Sequence, residues 1–251
     1  MKKIIAAVLC IFISLCLCAC KDSGTKESQP TDNPVSDSNV SVKVDYSQAV
    51  PAKQKNTVRY TESSLSMATE PIKNDAEMFE ASPVVIHGKV LETNYLLKGS
   101  EVFTKSEVSV IECYKGGLKK GQVIKIREIG GFVPSDVLDN AIALEKTGKE
   151  ANTQKSKQVI YDIRVKDNKV MEKGEDVILF VYPIDYSDFE EFKTDSYQLV
   201  RVWQGKLLLD EETGLYNPYI PKDELQYVDA KSYTSGEFGT FAKTCVKQQV
   251  S

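Results

Sequence analysis

Histidine is almost absent from this chain of 251 residues, in which His87 is the only one. A Ser-His-Asp or Cys-His catalytic arrangement would therefore have to use this single imidazole. His87 lies between Ile86 and Gly88 in a segment rich in β-branched residues, where a lone histidine is more often structural than catalytic. We predict no catalytic residue and expect that the chain is not an enzyme.

Phosphate-binding and metal-binding motifs are lacking as well. The Gly-Gly pairs at 116 and 130 are not followed by Lys and then Ser or Thr, so neither is a P-loop. The acidic segment 183–192 (PIDYSDFEEF) offers oxygen ligands but lacks the spacing of a dedicated calcium loop. We therefore predict no cofactor and no metal.

Cysteine is scarce once the N-terminus is set aside. Of the six cysteines, only Cys113 and Cys245 lie beyond the first twenty residues. Two isolated thiols cannot form a zinc site of the C-x-x-C kind. Outside the cytoplasm they could form a disulfide, and they also fit two buried free thiols, which is the more frequent case.

An excess of basic residues is lacking too. The chain has 32 Lys and Arg against 36 Asp and Glu, which gives a net charge of -4, and the two signs are interspersed. Nucleic acids and anionic lipid surfaces are bound through basic patches. We therefore expect no nucleic-acid partner.

Long hydrophobic runs are absent except at the N-terminus. Lys2 and Lys3 precede an apolar run from Ile4 to Ala19, which is shorter than the roughly 18 to 20 residues that cross a bilayer comfortably. This pattern is typical of a signal peptide, which we assign to residues 1–19. The mature chain is therefore expected outside the cytoplasm.

The signal peptide ends in Leu17-Cys18-Ala19-Cys20, which resembles the lipobox of bacterial lipoproteins. The resemblance implies that Cys20 is lipidated after cleavage. Because two acyl chains hold a protein on a bilayer far more durably than one, the protein is expected to be anchored at the extracytoplasmic face of the cell membrane.

The mature chain divides into a linker and a domain. Residues 20–57 are dominated by Ser, Asp, Lys, Asn, Gln and Pro, and this composition predicts a disordered linker. Residues 58–251 are long enough to form one domain with a real core.

Local patterns in the domain predict a mainly β fold. Asn74 followed by acidic residues predicts a short helix that ends before Pro83. The apolar run from Val177 to Val181 predicts a strand that is buried on both faces. Runs of β-branched and aromatic residues predict strands at 84–97, 102–114, 122–128, 158–165, 175–182, 197–203 and 206–210.

Two further segments complete the domain. The polar stretch 132–157 predicts an insertion, which is either functional or disordered. Near the C-terminus an apolar stripe at helical spacing predicts an amphipathic helix that packs on the sheet. The residues of this stripe are Phe238, Phe241, Ala242, Cys245 and Val246.

Three strand motifs resemble a group of uncharacterised Gram-positive lipoproteins and secreted proteins. They are SPVVIHGKV at 82–90, SEVSVIECYKGGLKKGQVIKIREIGG at 106–131 and KGEDVILFVY at 173–182. The resemblance implies an OB-like β-barrel, similar in outline to netrin-like modules, with a C-terminal helix packed on the barrel. It implies no catalytic residues.

Aromatic residues concentrate in the second half of the domain and suggest a binding surface. Trp203, Tyr216 and Tyr219 are the candidates, because Trp and Tyr dominate binding faces and sugar-stacking faces. We expect an interaction module whose partner is an envelope protein or a wall glycan. A protease-inhibitor-like or adhesive module and an extracytoplasmic hydrolase that uses paired carboxylates are the alternatives.

Overall fold

A computed structural model describes residues 57–62, 71–149, 159–184 and 190–250. The predicted signal peptide, Cys20 and the linker up to residue 56 lie outside the described residues, as do Asp185 and Asp188 of the acidic segment. All of the described residues belong to one compact unit, residues 39–251.

The described chain is mainly β, with a helix near each end and one in between. The helices are α1 (Asp75–Ala81), α2 (Ser135–Thr147) and α3 (Ser235–Val250). The strands are β1 (Thr57–Glu62), β2 (Val84–Lys98), β3 (Glu101–Lys115), β4 (Val123–Ile129), β5 (Gly131–Pro134), β6 (Ile160–Val165), β7 (Asp176–Pro183), β8 (Ser196–Leu199), β9 (Lys206–Asp210) and β10 (Leu215–Pro218).

The main sheet has seven strands in the order β10-β9-β7-β2-β3-β4-β8. One edge of β7 pairs with β2, and its other edge pairs with β9 at the start of the strand and with β8 at the end. Because β8 also pairs in parallel with β4, the strands β2, β3, β4, β8 and β7 follow one another in a ring. This is the five-stranded, partly open arrangement of an OB-like fold.

The ring is not a regular closed barrel. The two pairings that β8 makes are three residues long each, and β9 and β10 extend the sheet beyond β7. With this qualification the predicted fold class is confirmed: the protein is mainly β and OB-like, with a short helix before the first ring strand and a C-terminal helix on the sheet.

A second, three-stranded sheet has the order β1-β6-β5, in which β1 runs parallel to β6 and β5 runs antiparallel to it. The start of the predicted insertion 132–157 therefore forms β5 and α2, while residues 150–158 lie outside the described residues. Gly148 forms the left-handed C-cap of α2, with its backbone N–H donating to the Leu144 carbonyl, so the helix ends where glycine favours an end.

The core lies on both faces of the sheet. Inside the ring a cluster of buried aliphatic side chains includes Val177, Leu179 and Val181 of β7. On the outer face Ile178 and Phe180 pack in a second cluster with residues of α1 and α3. The prediction that this strand is buried on both faces is confirmed.

The two helices predicted near the ends of the domain both form at the predicted segments. The side chain of Asn74 accepts a hydrogen bond from the Glu77 backbone N–H at 3.0 Å and caps α1. In α3 the residues Phe238, Ala242 and Cys245 are buried against the sheet, and Val246 at the margin of the stripe is 38% exposed.

One predicted strand is shorter than expected. The strand predicted at 197–203 ends at Leu199, because Arg201 and Val202 adopt positive φ angles of 55° and 54°, which no strand accommodates. The strands β1, β5 and β10 are additional to those predicted; β1 and β5 pair with β6, which is distant in the sequence, whereas β10 is a four-residue strand that forms a hairpin with β9.

Candidate functional site

A pocket of about 870 Å³ lies between the tip of the β2–β3 hairpin, β4, α2 and β6. The hairpin turn is Gly99-Ser100, with φ of +56° at the glycine, as two-residue turns with a leading glycine require. We call this cavity the hairpin–helix pocket; its lining residues are Ser100, Glu101, Val102, Phe103, Arg127, Ile129, Leu138, Asp139, Ile142, Glu145, Lys146, Tyr161 and Ile163.

The walls of the pocket are mostly apolar and are held by packing. Helix α2 rests on the hairpin through a cluster of buried aliphatic side chains. This cluster consists of Leu97, Val102, Val133 and Leu138. Ile142 and Ile163 pack against it and remain half-buried. The pocket is therefore framed by elements that the core fixes in place.

The mouth of the pocket carries charge. Glu101, Asp139, Glu145 and Lys146 are exposed there. A carboxylate oxygen of Glu145 lies 4.0 Å from the position that a Cβ on Gly99 would take, so the end of α2 approaches the hairpin tip. Inside the mouth, the Arg127 guanidinium lies over the Phe103 ring at 4.7 Å from its centroid.

His87 belongs to a second polar cluster, away from this pocket. Its Nε2 lies 2.6 Å from Asp176 Oδ1 and 3.0 Å from the Tyr216 hydroxyl, which donates to the same carboxylate oxygen at 2.6 Å. Burial, followed by the bond to Asp176, raises the pKa of Tyr216. Because these three residues come from β2, β7 and β10, the cluster fastens the last strand of the sheet to its centre.

Two of the three residues predicted to form an aromatic binding surface are buried. Trp203 is 6% and Tyr216 is 4% exposed. The indole N–H of Trp203 donates to Glu224 at 2.9 Å, while the Lys166 ammonium lies 4.7 Å from the centre of a Trp203 ring. Tyr219 is half-buried, and its hydroxyl donates to the Lys166 carbonyl. Trp203 and Tyr216 therefore pack in the core, and of the three residues predicted to form a binding surface only Tyr219 keeps partial exposure.

The buried acids of the described region are all paired. Glu128 accepts from Lys206 at 2.6 Å, with both side chains at most 2% exposed, and also from the Met171 N–H. Asp162 lies 2.7 Å from Arg164. Glu224 pairs with Lys166 and accepts from Trp203, as described above. These ion pairs occupy the carboxylates in structural roles.

Both cysteines of the domain are free thiols, so the disulfide that the sequence left open is not formed. Cys113 packs against the cluster inside the ring, and Cys245 lies in the cluster under α3 on the outer face. Burial raises the pKa of the Cys245 thiol, which makes it less reactive. The more frequent case of two separate thiols is therefore the one observed.

In the described parts of the chain, no three or more His, Cys, Asp or Glu side chains are grouped so that they could hold a metal ion. No helix among the described residues is long and apolar enough to cross a membrane.

No protein-family model matches the chain, and no curated protein matches it significantly.

The sequence did not reveal the hairpin–helix pocket. Its residues come from the hairpin, β4, α2 and β6, and only tertiary packing brings these segments together. The one sequence signal was the stretch 132–157, because long insertions in compact domains are often functional.

Proposed function

We propose that this chain is a lipid-anchored, non-catalytic binding module of the cell envelope that takes its ligand in the hairpin–helix pocket. The observation that carries the proposal is the pocket itself, with a volume of about 870 Å³, apolar walls and a charged mouth. Ligand sites in proteins are typically concave, mostly apolar and furnished with a few polar groups that set orientation.

The place of the pocket in the fold supports the proposal. OB folds bind ligands on the face of their second and third strands, next to the loop that joins the first two. In this chain these parts are β3, β4 and the Gly99-Ser100 turn, and all three line the pocket. Because a fold alone does not define a function, the argument depends on the pocket and uses the fold as support.

The polar clusters favour binding over catalysis. The single histidine is buried at 8% exposure, and the buried acids named above are each paired with a cation. A hydrolase that uses paired carboxylates has no specific observation in its favour among the described residues.

The envelope location follows from the N-terminal sequence. The signal peptide 1–19, the lipobox that ends at Cys20 and the polar linker 20–57 together suggest a domain tethered outside the membrane. A protein or a wall glycan is then the expected ligand, and a protease-inhibitor-like or adhesive role would be a special case of such binding. The resemblance to Gram-positive lipoproteins stays a prediction.

Site-specific crosslinking in living cells tests the binding proposal. A photoreactive amino acid replaces Glu145 at the mouth of the pocket, and in a matched variant it replaces Lys247, which is exposed on α3. We expect an adduct from position 145 and none from position 247. Adducts at both positions alike, or at neither, would show that the pocket is not the binding site.

A second experiment tests the anchor. Replacement Cys20→Ser in the full chain should abolish acyl attachment, measured by mass spectrometry, and should release the protein from the membrane fraction. If the Cys20→Ser chain still carries the same acyl mass, the assignment of Cys20 is wrong.

A further inference from the structure

The charges at the mouth of the hairpin–helix pocket indicate the sign of the group that it binds. Glu101 comes from the hairpin, whereas Asp139 and Glu145 come from α2, so carboxylates approach the opening from two sides. Lys146 is the one exposed base among the lining residues, all of which are described. Grouped carboxylates attract cations and repel anionic groups.

Arg127, the other basic residue that lines the pocket, does not make the opening positive. Arg127 is 7% exposed, and its guanidinium lies over the Phe103 ring. A cation held over an aromatic face is stabilised by the ring. Its charge therefore belongs to the wall, while the opening is dominated by acids.

The walls favour aliphatic groups over sugars. Ile129, Leu138, Ile142 and Ile163 provide branched aliphatic surface, which complements apolar side chains. Sugar-binding sites, in contrast, use open aromatic faces, whereas Phe103 is buried with Arg127 over one face and Tyr161 packs against the α2 cluster. Wall polymers also carry carboxylate and phosphate groups, which the acidic mouth would repel.

From these observations we propose that the hairpin–helix pocket binds a peptide segment of a partner protein in which apolar side chains alternate with lysine or arginine. The apolar side chains enter between α2 and the hairpin, and the basic side chains reach Glu101, Asp139 and Glu145 at the opening. This inference rests on the proposed function, since it names the ligand of the same pocket.

The test uses the full chain in nanodiscs of neutral lipid, with the signal from empty nanodiscs subtracted. The probes are two short fluorescent peptides, one alternating lysine with leucine and the other alternating glutamate with leucine. Binding is measured by fluorescence anisotropy. We expect the lysine peptide to bind at least about tenfold more tightly, because several exposed charge contacts each change affinity a few-fold.

Charge reversal links this preference to the pocket. The variant Glu101→Lys, Asp139→Lys, Glu145→Lys should favour the glutamate peptide instead. The matched variant Glu80→Lys, Glu211→Lys, Glu212→Lys changes the net charge equally at exposed positions that do not line the pocket, and it should keep the original order. All six residues are exposed, so both variants are expected to fold, which thermal unfolding verifies.

The salt dependence of peptide binding to the unmodified chain is an independent test. Higher salt should weaken binding of the lysine peptide, because exposed charge contacts are screened. Equal binding of the two peptides, or a preference that survives reversal of the three acids at the mouth, would overturn the inference.

A third probe separates failure of this inference from failure of the proposed function. A fluorescent muropeptide, made of wall disaccharide and its short peptide, is titrated into the same chain and into the variant Ile142→Trp, which places a bulky indole in the pocket. If the muropeptide binds, is blocked by Ile142→Trp and outcompetes both peptides, the pocket is a binding site and its basic-peptide assignment is wrong. If no probe binds, both proposals fail.

Discussion

At the scale of single residues, one glycine shapes the longest strand pair. A Cβ on Gly88 would lie 2.5 Å from Val108 Cγ1 and 3.0 Å from the Ser109 carbonyl oxygen. The register of β2 against β3 also shifts between His87 and Gly88. The missing side chain thus lets β3 pass close to β2 where the sheet curves around its core.

We expect the substitution Gly88→Ala to lower the free energy of unfolding by about 1 to 3 kcal/mol, the usual cost of overpacking. Chemical denaturation of the full chain measures the change. Gly236→Ala is the matched control, because it lies in α3 with no atom within 4 Å of the added Cβ, and alanine favours a helix. A neutral Gly88→Ala variant would show that β2 and β3 are not packed as described.

Individual contacts also explain why Trp203 and Tyr216, which the sequence places in a binding surface, are buried. Trp203 and Tyr216 have the composition of a binding face, but their polar atoms find buried partners. Those partners, Glu224 and Asp176, are separated from them by 21 and 40 positions in sequence. Composition identifies which residues can bind, whereas burial depends on contacts that a single sequence does not display.

At the scale of elements, local signals predicted most of what formed. The Asn74 cap of α1, the apolar stripe of α3 and the two-sided burial of β7 depend on patterns within a few positions. The pairing of β5 with β6 and the packing of α2 on the hairpin depend on contacts across the fold. The sequence therefore predicts only an insertion at 132–157 and an isolated strand at 158–165. The pocket is made of these elements, and for that reason its composition could not be derived from the sequence.

The cap of α1 offers a test at this scale. We expect Asn74→Ala to lower the free energy of unfolding by about 1 kcal/mol, because the Glu77 N–H loses its side-chain acceptor. Asn74→Ser keeps an acceptor oxygen and should lose less. Both are compared with the unmodified chain by urea denaturation. Equal losses in the two variants would argue that the side-chain cap does not stabilise α1.

At the scale of the whole molecule, buried tyrosines make stability depend on alkaline pH. Burial is the main cause that raises the pKa of Tyr95, Tyr114, Tyr216 and Tyr233 above the ordinary value of 10.0, and for Tyr114 the pKa rises to about 12. Below pH 10 these hydroxyls are protonated in both the folded and the unfolded chain. Above it the unfolded chain ionises first, so stability falls as pH rises toward the folded-state values.

We therefore expect the free energy of unfolding to decrease between about pH 10 and about pH 12, by at most about 1.4 kcal/mol per pH unit for each such tyrosine. Tyr95→Phe and Tyr216→Phe should each make the decrease shallower. Tyr227→Phe is the control, since Tyr227 is 60% exposed. If the free energy of unfolding decreases as steeply in Tyr95→Phe and Tyr216→Phe as in Tyr227→Phe, these buried tyrosines are not the cause of the decrease.

The central claim, that the hairpin–helix pocket is a binding site, is tested most directly by isoleucine methyl NMR of the full chain in nanodiscs. Ile129, Ile142 and Ile163 line the pocket, while Ile86 and Ile178 are buried in the two sheet clusters. The spectrum is recorded while the lysine–leucine peptide and then the muropeptide are added. Our account predicts that one of these ligands shifts the three pocket signals in a saturable way and leaves the two sheet signals in place. Pocket signals that stay fixed with both ligands would contradict it.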